Sequence, residues 1–395
     1  MNNEFSIPNG VIRRLIPLRS RRAGLLVLCI LASLGLCGVF SFELNNILPA
    51  TLILEVLFFS IVVYHIRRIP SGTHLLIIAA ASYLLYGVSI AVMAGRNNLV
   101  DVLLIFKPFV YIIALCFLVH RNIFFESDLR KFFPWLLSIF FIKYFYAPVF
   151  GYAERPGVYT ENNFELVLLL FIYYRVALAD VRFRYYVALI VSMIFFLSGS
   201  RSGIISLLAV FGFMYLQKKI PRTSGFLLLS IAALVVIGVF KGRMVDIDIS
   251  EVDRVVFLNS FFRETQSWSW VRYLIGSPPI TPLSSFSCSV LNYYEALFSF
   301  SGSGECYSVI LHSFLLRTIF DHGIFGLIFL MFSVWILLLK SGYEKYTRLC
   351  IVAVIFMNGL SVSALSSIYM ILGLAIFMTF KENAQPQMIT KTLIK

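Results

Sequence analysis

The chain has 395 residues, of which 59% are apolar and only 13% charged, and its mean hydropathy is +0.88. Soluble domains are roughly half apolar and a quarter charged, so a soluble protein of two or three domains is excluded and one transmembrane domain over 1–395 is expected. The formal net charge of +13 does not indicate nucleic acid as a partner, because the basic residues form short clusters between apolar runs and no basic face or reading motif is present.

Crossing the ~30 Å hydrocarbon core takes about 20 apolar residues. Twelve runs approach that length: 23–42, 47–65, 74–94, 102–119, 132–150, 163–179, 185–199, 203–217, 224–240, 323–339, 349–362 and 365–380. The pattern predicts an all-α, polytopic membrane helix bundle of about twelve spans. The runs 185–199 and 203–217 leave room for a tight re-entrant turn. Arg13, Arg14, Arg19, Arg21 and Arg22 precede the first run. Arg67-Arg68, Arg130-Lys131, Arg182 with Arg184, Lys218-Lys219 and Lys340 with Lys345 follow every second run, and Lys381, Lys391 and Lys395 close the chain. If the spans alternate, all of these fall on one side, which the positive-inside rule makes cytoplasmic together with both termini. The first run is too long for a cleavable h-region, and Phe42-Glu43-Leu44 is a poor cleavage site, so it reads as a signal-anchor.

The opposite face holds three polar places: Gly151–Asn163, the turn Ser198-Gly199-Ser200-Arg201-Ser202-Gly203, and a long loop over 241–308 between spans nine and ten. Pro278-Pro279, Pro282, Ser284-Ser285 and Ser301–Gly304 are turn formers within that loop. The stretch Arg254–Leu274 predicts one or two amphipathic helices. Cys29, Cys37, Cys116 and Cys350 lie in apolar runs and are expected to be buried, inert thiols. Cys288 and Cys306 both fall in the loop, where an oxidising compartment would join them; the alternative is two free thiols. No Cys or His spacing matches a zinc site.

Several polar residues stand out against this background. Arg201 sits between two apolar runs on the side where topology asks for no positive charge, and an arginine at mid-span costs about 2.5–3.5 kcal/mol. A structural salt bridge to Glu154, Glu161 or Glu165 competes with an anion-binding role. Arg155 precedes Pro156-Gly157; it either snorkels to headgroups or contacts an anion beside the helix start at Asn162-Asn163, where Asn can cap. Arg254 opens the predicted loop helix and by itself reads as a solvated loop charge. His312-Ser313 ends the loop, and Gly323 and Gly326 follow. A histidine there can carry a proton near neutral pH or be a satisfied helix-end residue. Asp321 and His322 are either local pairs or part of the same mouth. Lys107 and Lys143 lie inside runs, so each needs a partner or a polar chamber.

His312-Ser313 with Gly323-x-x-Gly326 resembles the histidine motif of the bacterial O-antigen ligase and O-antigen polymerase superfamily. Ser198–Gly203 at the outer start of a span, Arg254 followed by Tyr273-Leu274-Ile275-Gly276-Ser277, and Arg155–Tyr159 with Glu161-Asn162-Asn163 resemble other segments of that family in the same order. The resemblance covers about 150–340; the first 150 residues match only as apolar spans. It implies a multi-span (GT-C type) glycosyltransferase that needs no metal or other cofactor and uses an undecaprenyl-diphosphate-linked oligosaccharide at the periplasmic face of the bacterial inner membrane. The acceptor hydroxyl would attack the anomeric carbon and the lipid diphosphate would leave. Fixed cations would then dominate catalysis, with Arg201 and Arg254 as a diphosphate clamp, because the arginine fork holds phosphate oxygens bidentately. His312 would be the base, or the group that orients the acceptor hydroxyl. Arg155, Ser200, Asn163, Ser313 and Arg317 would contact substrate. Membrane lipids and a chain-length regulator are the other implied partners.

The resemblance favours a polymerase of lipid-linked repeat units and leaves the ligase, which transfers glycan to lipid A-core, as the alternative. A transporter or flippase of the same lipid-linked sugars is a reading from another class: an even number of spans with both termini inside suits it, whereas the absence of visible repeats and the gathering of special residues on one face do not.

Overall fold

The computed structural model describes residues 9–41, 47–66, 69–95, 98–150, 156–217, 219 and 253–379. The elements among these residues are all helical. The long helices are α1 (Asn9–Phe40), α2 (Ala50–His65), α3 (His74–Met93), α4 (Leu99–Leu118), α5 (Glu126–Val149), α6 (Asn162–Ala179), α7 (Val181–Leu197) and α8 (Arg201–Leu216). Three short helices follow in the loop: α9 (Asp253–Thr265), α10 (Trp270–Ile275) and α11 (Ser285–Val290). The chain then returns through α12 (Phe314–Lys340), α13 (Lys345–Gly359) and α14 (Ile368–Thr379).

Among the described residues, six helices are long and apolar enough to cross a membrane: Ser20–Phe40, His74–Met93, Leu99–Leu118, Glu126–Val149, Asn162–Ala179 and Phe314–Lys340. Ala50–His65, Val187–Leu197, Arg201–Leu216 and Ile368–Thr379 are apolar but shorter. The protein is a polytopic helical bundle of membrane type. The predicted span 224–240 lies outside the described residues. The expected tight turn is present, since only Ser198–Ser200 separates α7 from α8.

A helix that is apolar all round belongs in the centre of a bundle. Two helices here meet that condition: α6 is buried on every side from Glu165 to Ala177, α14 is buried along its whole length, and the two pack on each other. Gly373 permits the approach, because a Cβ there would come within 2.5 Å of the Phe171 ring. Outer helices keep large apolar side chains exposed, such as Leu75 on α3 and Trp135 on α5, as expected where the surroundings are lipid.

Cross-links sort the helix ends into two groups. At one end Arg21 of α1 pairs with Asp128 of α5 at 2.6 Å, Arg130 reaches Asp180 after α6 at 3.2 Å, and Ser341 after α12 donates to the Met378 carbonyl of α14 at 3.2 Å. At the other end, Asn162 of α6 donates to the Ser198 carbonyl before α8 at 2.8 Å. There too Asp101 of α4 accepts from Ser299 of the loop at 2.7 Å, and Ser313 before α12 donates to the Gly359 carbonyl of α13 at 3.1 Å. The first end holds the Arg21 and Arg130 ion pairs; the second holds the loop helices and the start of α12.

One expectation changes, for the cysteines, and the partners expected for the two lysines are identified. Cys29 and Cys37 are exposed on α1, and only Cys116 and Cys350 are buried; a side facing lipid needs no protein cover for an apolar thiol. Lys143 needs neither an acid nor a polar chamber, because its ammonium donates to the Gly38 and Ser41 carbonyls at the end of α1, at 2.9 and 2.5 Å. Lys107 donates to Glu55 Oε1 at 2.5 Å, and Tyr111 donates to the same oxygen at 3.1 Å.

Candidate functional site

The α7–α8 turn is built from its own short polar side chains. Gly199 takes a φ of +59°, a left-handed value that glycine adopts at low cost. Ser198 Oγ donates to the Phe195 carbonyl at 2.6 Å and accepts from Ser200 N–H at 3.1 Å. Ser200 then caps α8, accepting from Gly203 N–H at 3.1 Å, and donates its own proton to Asn163 Oδ1 at 2.6 Å. Ser200 and Asn163 are thus brought together, the serine proton being committed to the Asn163 carbonyl oxygen. Asn162 and Asn163 tie α6 to this turn and make no side-chain cap on α6. Arg201 is half-buried as the first residue of α8. The helix dipole disfavours a cation at that end and favours an anion beside it.

Of the carboxylates proposed above to pair with Arg201, Glu165 is taken up elsewhere. Fully buried, it accepts from the N–H groups of Val158, Tyr159 and Thr160 at 2.6 to 3.2 Å and from the Tyr144 hydroxyl at 2.8 Å. This carboxylate folds the segment 156–160 onto α5 and α6. Arg155 lies outside the described residues.

His312 ends a 3₁₀ turn, Ser308–Leu311, and has a left-handed backbone with φ +47° and ψ −2°. Few non-glycine residues adopt such values, and those that do cluster at sites where the surroundings impose them. Three anchors hold this one. Ser308 Oγ donates to Asp321 Oδ2 on α12. Ser313, the cap of α12, accepts from Leu316 N–H at 3.4 Å and donates to Gly359 of α13. The imidazole itself packs against Tyr294 and Phe257, with ring centroids 4.5 and 5.7 Å away. Phe257 lies one turn after Arg254 on α9, and Arg254 is exposed. The loop helix that carries Arg254 is therefore packed on His312 through Phe257.

The predicted loop helix is two helices, α9 and α10, separated by residues 266–269. Cys288 and Cys306 are bonded, with Cα atoms 5.7 Å apart. The bond pins α11 to the strand-like return before His312, where Leu283 N–H donates to the Cys306 carbonyl at 2.9 Å.

α12 begins at Phe314, nine residues before the apolar run that predicted it, and is kinked at Gly323, whose φ is +68°. Its first turns are buried. Arg317 is 6% exposed and donates to the Leu104 carbonyl of α4. His322 Nε2 donates to the Ile105 carbonyl at 3.1 Å, and its Nδ1 lies 2.9 Å from the Tyr83 hydroxyl, an arrangement that fits the Nε2–H tautomer with Tyr83 as donor. The ring is enclosed by Phe109 and Phe106 at 4.8 and 5.1 Å. His322 is thus a buried tie between α3, α4 and α12.

Glu55 and Asp101 are structural carboxylates whose jobs the sequence reading did not assign, and Glu165 is one that it offered to Arg201 as a partner. The available signal was an acid placed in or at the start of an apolar helix, which is costly without a partner. No group of three or more His, Cys, Asp or Glu placed to hold a metal occurs among the described residues. No protein-family model, curated protein or solved structure matches the chain.

Proposed function

We propose that this protein is a polymerase of undecaprenyl-diphosphate-linked glycan repeat units, working at the membrane face on which His312 lies. In this reading the bundle has twelve spans in a bacterial inner membrane, with the end that holds the Arg21–Asp128 pair and both termini in the cytoplasm. One observation carries it: the helix bearing Arg254 is packed on His312 through Phe257, at the same end of the bundle as Arg201. Two arginines and a histidine at one polar end suit a reaction whose leaving group is a diphosphate. The arginines hold the phosphate oxygens, and His312 accepts or orients the acceptor hydroxyl proton while that oxygen bonds to the anomeric carbon. Ser200 and Asn163 shape the floor through their mutual hydrogen bond, Ser313 fixes the start of α12, and Arg317 stiffens the wall behind them.

The test is to delete the gene and resolve the surface polysaccharide on a gel. A lost polymerase leaves core carrying a single repeat. Core with no repeat, and polymer retained on the carrier lipid, identifies a ligase instead; loss of all repeats from the outer face identifies a transporter. His312→Ala and Arg201→Ala reproduce the deletion while the protein still reaches the membrane. Normal chain lengths in both variants overturn the site.

A further inference from the structure

The loop helix α10 has an apolar outward side. Trp270, Val271 and Ile275 are 73%, 41% and 59% exposed. Such a side is unusual on a segment surrounded by water, since exposed apolar patches mark contact with something. The inward side of α10 packs on α12, and Gly276, directly after it, meets Gly323 at the kink. Ile275 precedes Gly276, and Ile324 and Phe325 follow Gly323, so the three residues flank that contact in sequence. Ile324 and Phe325 begin a row of exposed side chains that continues with Ile328 and Phe332 along α12, a helix long and apolar enough to cross the membrane. Through the glycine junction the apolar side of α10 therefore adjoins the exposed apolar row of a helix long and apolar enough to cross a membrane.

The depth agrees. His322, next to the kink, is level with Ile105 of α4 through their hydrogen bond. Ile105 lies six residues into α4, which at 1.5 Å per residue is ~9 Å below the start of that membrane-crossing helix. A helix docked at this level lies beneath the polar end of the bundle. Its polar atoms are placed to suit a boundary: Arg272 lies over the Trp268 ring at 4.9 Å, and Arg263 of α9 over the Phe286 ring at 3.5 Å. Both are cation–π pairs, in which the guanidinium rests on an aromatic face, and tryptophan is enriched where apolar and polar surroundings meet at a membrane surface.

We propose that α10 is seated in the bilayer, with Trp270, Val271 and Ile275 against the acyl chains of the leaflet on the His312 side. The occupant of this face is the lipid itself, and the seat holds α9 and the His312 turn at the membrane surface. The proposal does not depend on the chemistry given above.

The chain has four tryptophans, so the test compares wild type with Trp270→Phe in vesicles and takes the difference in fluorescence. Trp135, 71% exposed on the membrane-crossing α5, is the internal reference through Trp135→Phe. Lipids brominated on the acyl chains are expected to quench the Trp270 component at least as strongly as half the Trp135 component, and aqueous iodide is expected to leave it nearly unchanged. Quenching by iodide without quenching by brominated lipid overturns the proposal. So does a Trp270 component reached by neither, which would mean that protein covers the face. If Trp270→Phe does not fold, Ile275→Trp gives the same reading as an added component.

Discussion

Gly276 and Gly323 meet backbone to backbone: a Cβ on Gly276 would lie 2.6 Å from the Gly323 nitrogen, and one on Gly323 would lie 2.2 Å from the Leu274 carbonyl oxygen. Both also combine a positive φ with an extended ψ, +87° with −174° and +68° with −179°, a backbone region open essentially to glycine. Ser277 N–H donates to the Phe320 carbonyl at 2.7 Å across the same junction. The kink in α12 and the docking of α10 are therefore one feature, and neither glycine has room for a side chain.

Gly276→Ala and Gly323→Ala are accordingly expected to release α10. That backbone alone costs a non-glycine residue on the order of 1–3 kcal/mol, and the missing space adds to that. Gly302 supplies the control: its φ is +71° and nothing lies within 4 Å of a built Cβ, so Gly302→Ala carries only the backbone cost. Limited proteolysis of the loop in vesicles should show faster cleavage for the first two variants than for Gly302→Ala. Equal rates for all three would remove the close approach from the argument.

The Cys288–Cys306 bond closes a loop with a sequence separation of 18. Bridges closing about 15 residues are worth roughly 3 kcal/mol through the unfolded chain. Cys288→Ser with Cys306→Ser is expected to loosen α11 and the return to His312 while the bundle keeps its thermal midpoint in detergent, since this loop packs its own core around Leu291 and Leu311. Hydrogen exchange separates the two: protection should fall within 283–311 and hold in α6 and α14. A loss spread evenly over both would mean that the loop and the bundle unfold as one unit.

Much of the helical layout was legible because long apolar runs report helices directly, and the basic clusters ordered the ends. The start of α12 was not, since its first turns contain Arg317, Asp321 and His322, which look like loop residues. They are tolerated because their partners come from far away in sequence: the Leu104 and Ile105 carbonyls, Ser308 and Tyr83. Lys143 was opaque for a related reason, as its acceptors are backbone carbonyls, which no inventory of side chains reveals. The candidate site was legible as a set of residue types but not as geometry. Nothing in the sequence placed Phe257 between Arg254 and His312, or bound Ser200 to Asn163.

The Lys107–Glu55 pair makes a further test. The two side chains are 23% and 22% exposed, on helices whose surroundings are apolar. Removing only one partner leaves a charge costing up to about 3 kcal/mol, whereas removing both leaves none. Glu55→Gln is expected to lower the thermal midpoint in detergent, and Glu55→Gln with Lys107→Met to recover most of the loss. A double variant less stable than the single one would assign Lys107 a second partner of consequence.

Ser308 and Asp321 lead to the last prediction. Ser308 is fully buried and Asp321 is 4% exposed, so their hydrogen bond is shielded from water and fixes the 3₁₀ turn to α12. His312 is the next residue after that turn, in a left-handed conformation that the chain would otherwise leave. Loss of the bond should therefore move the imidazole more than it unfolds the bundle. A displacement of about 1 Å at a reacting group can cost on the order of a hundredfold in rate. On the polymerase function proposed above, Ser308→Ala and Asp321→Leu are expected to slow glycan polymerisation by roughly ten- to a hundredfold at near-normal membrane levels, chiefly in turnover and little in apparent substrate affinity. Asp321→Asn retains an acceptor oxygen for Ser308 and should recover much of the rate. If Asp321→Asn is as slow as Asp321→Leu, the carboxylate charge matters and not the hydrogen bond. If Ser308→Ala polymerises at the normal rate, this bond does not position His312.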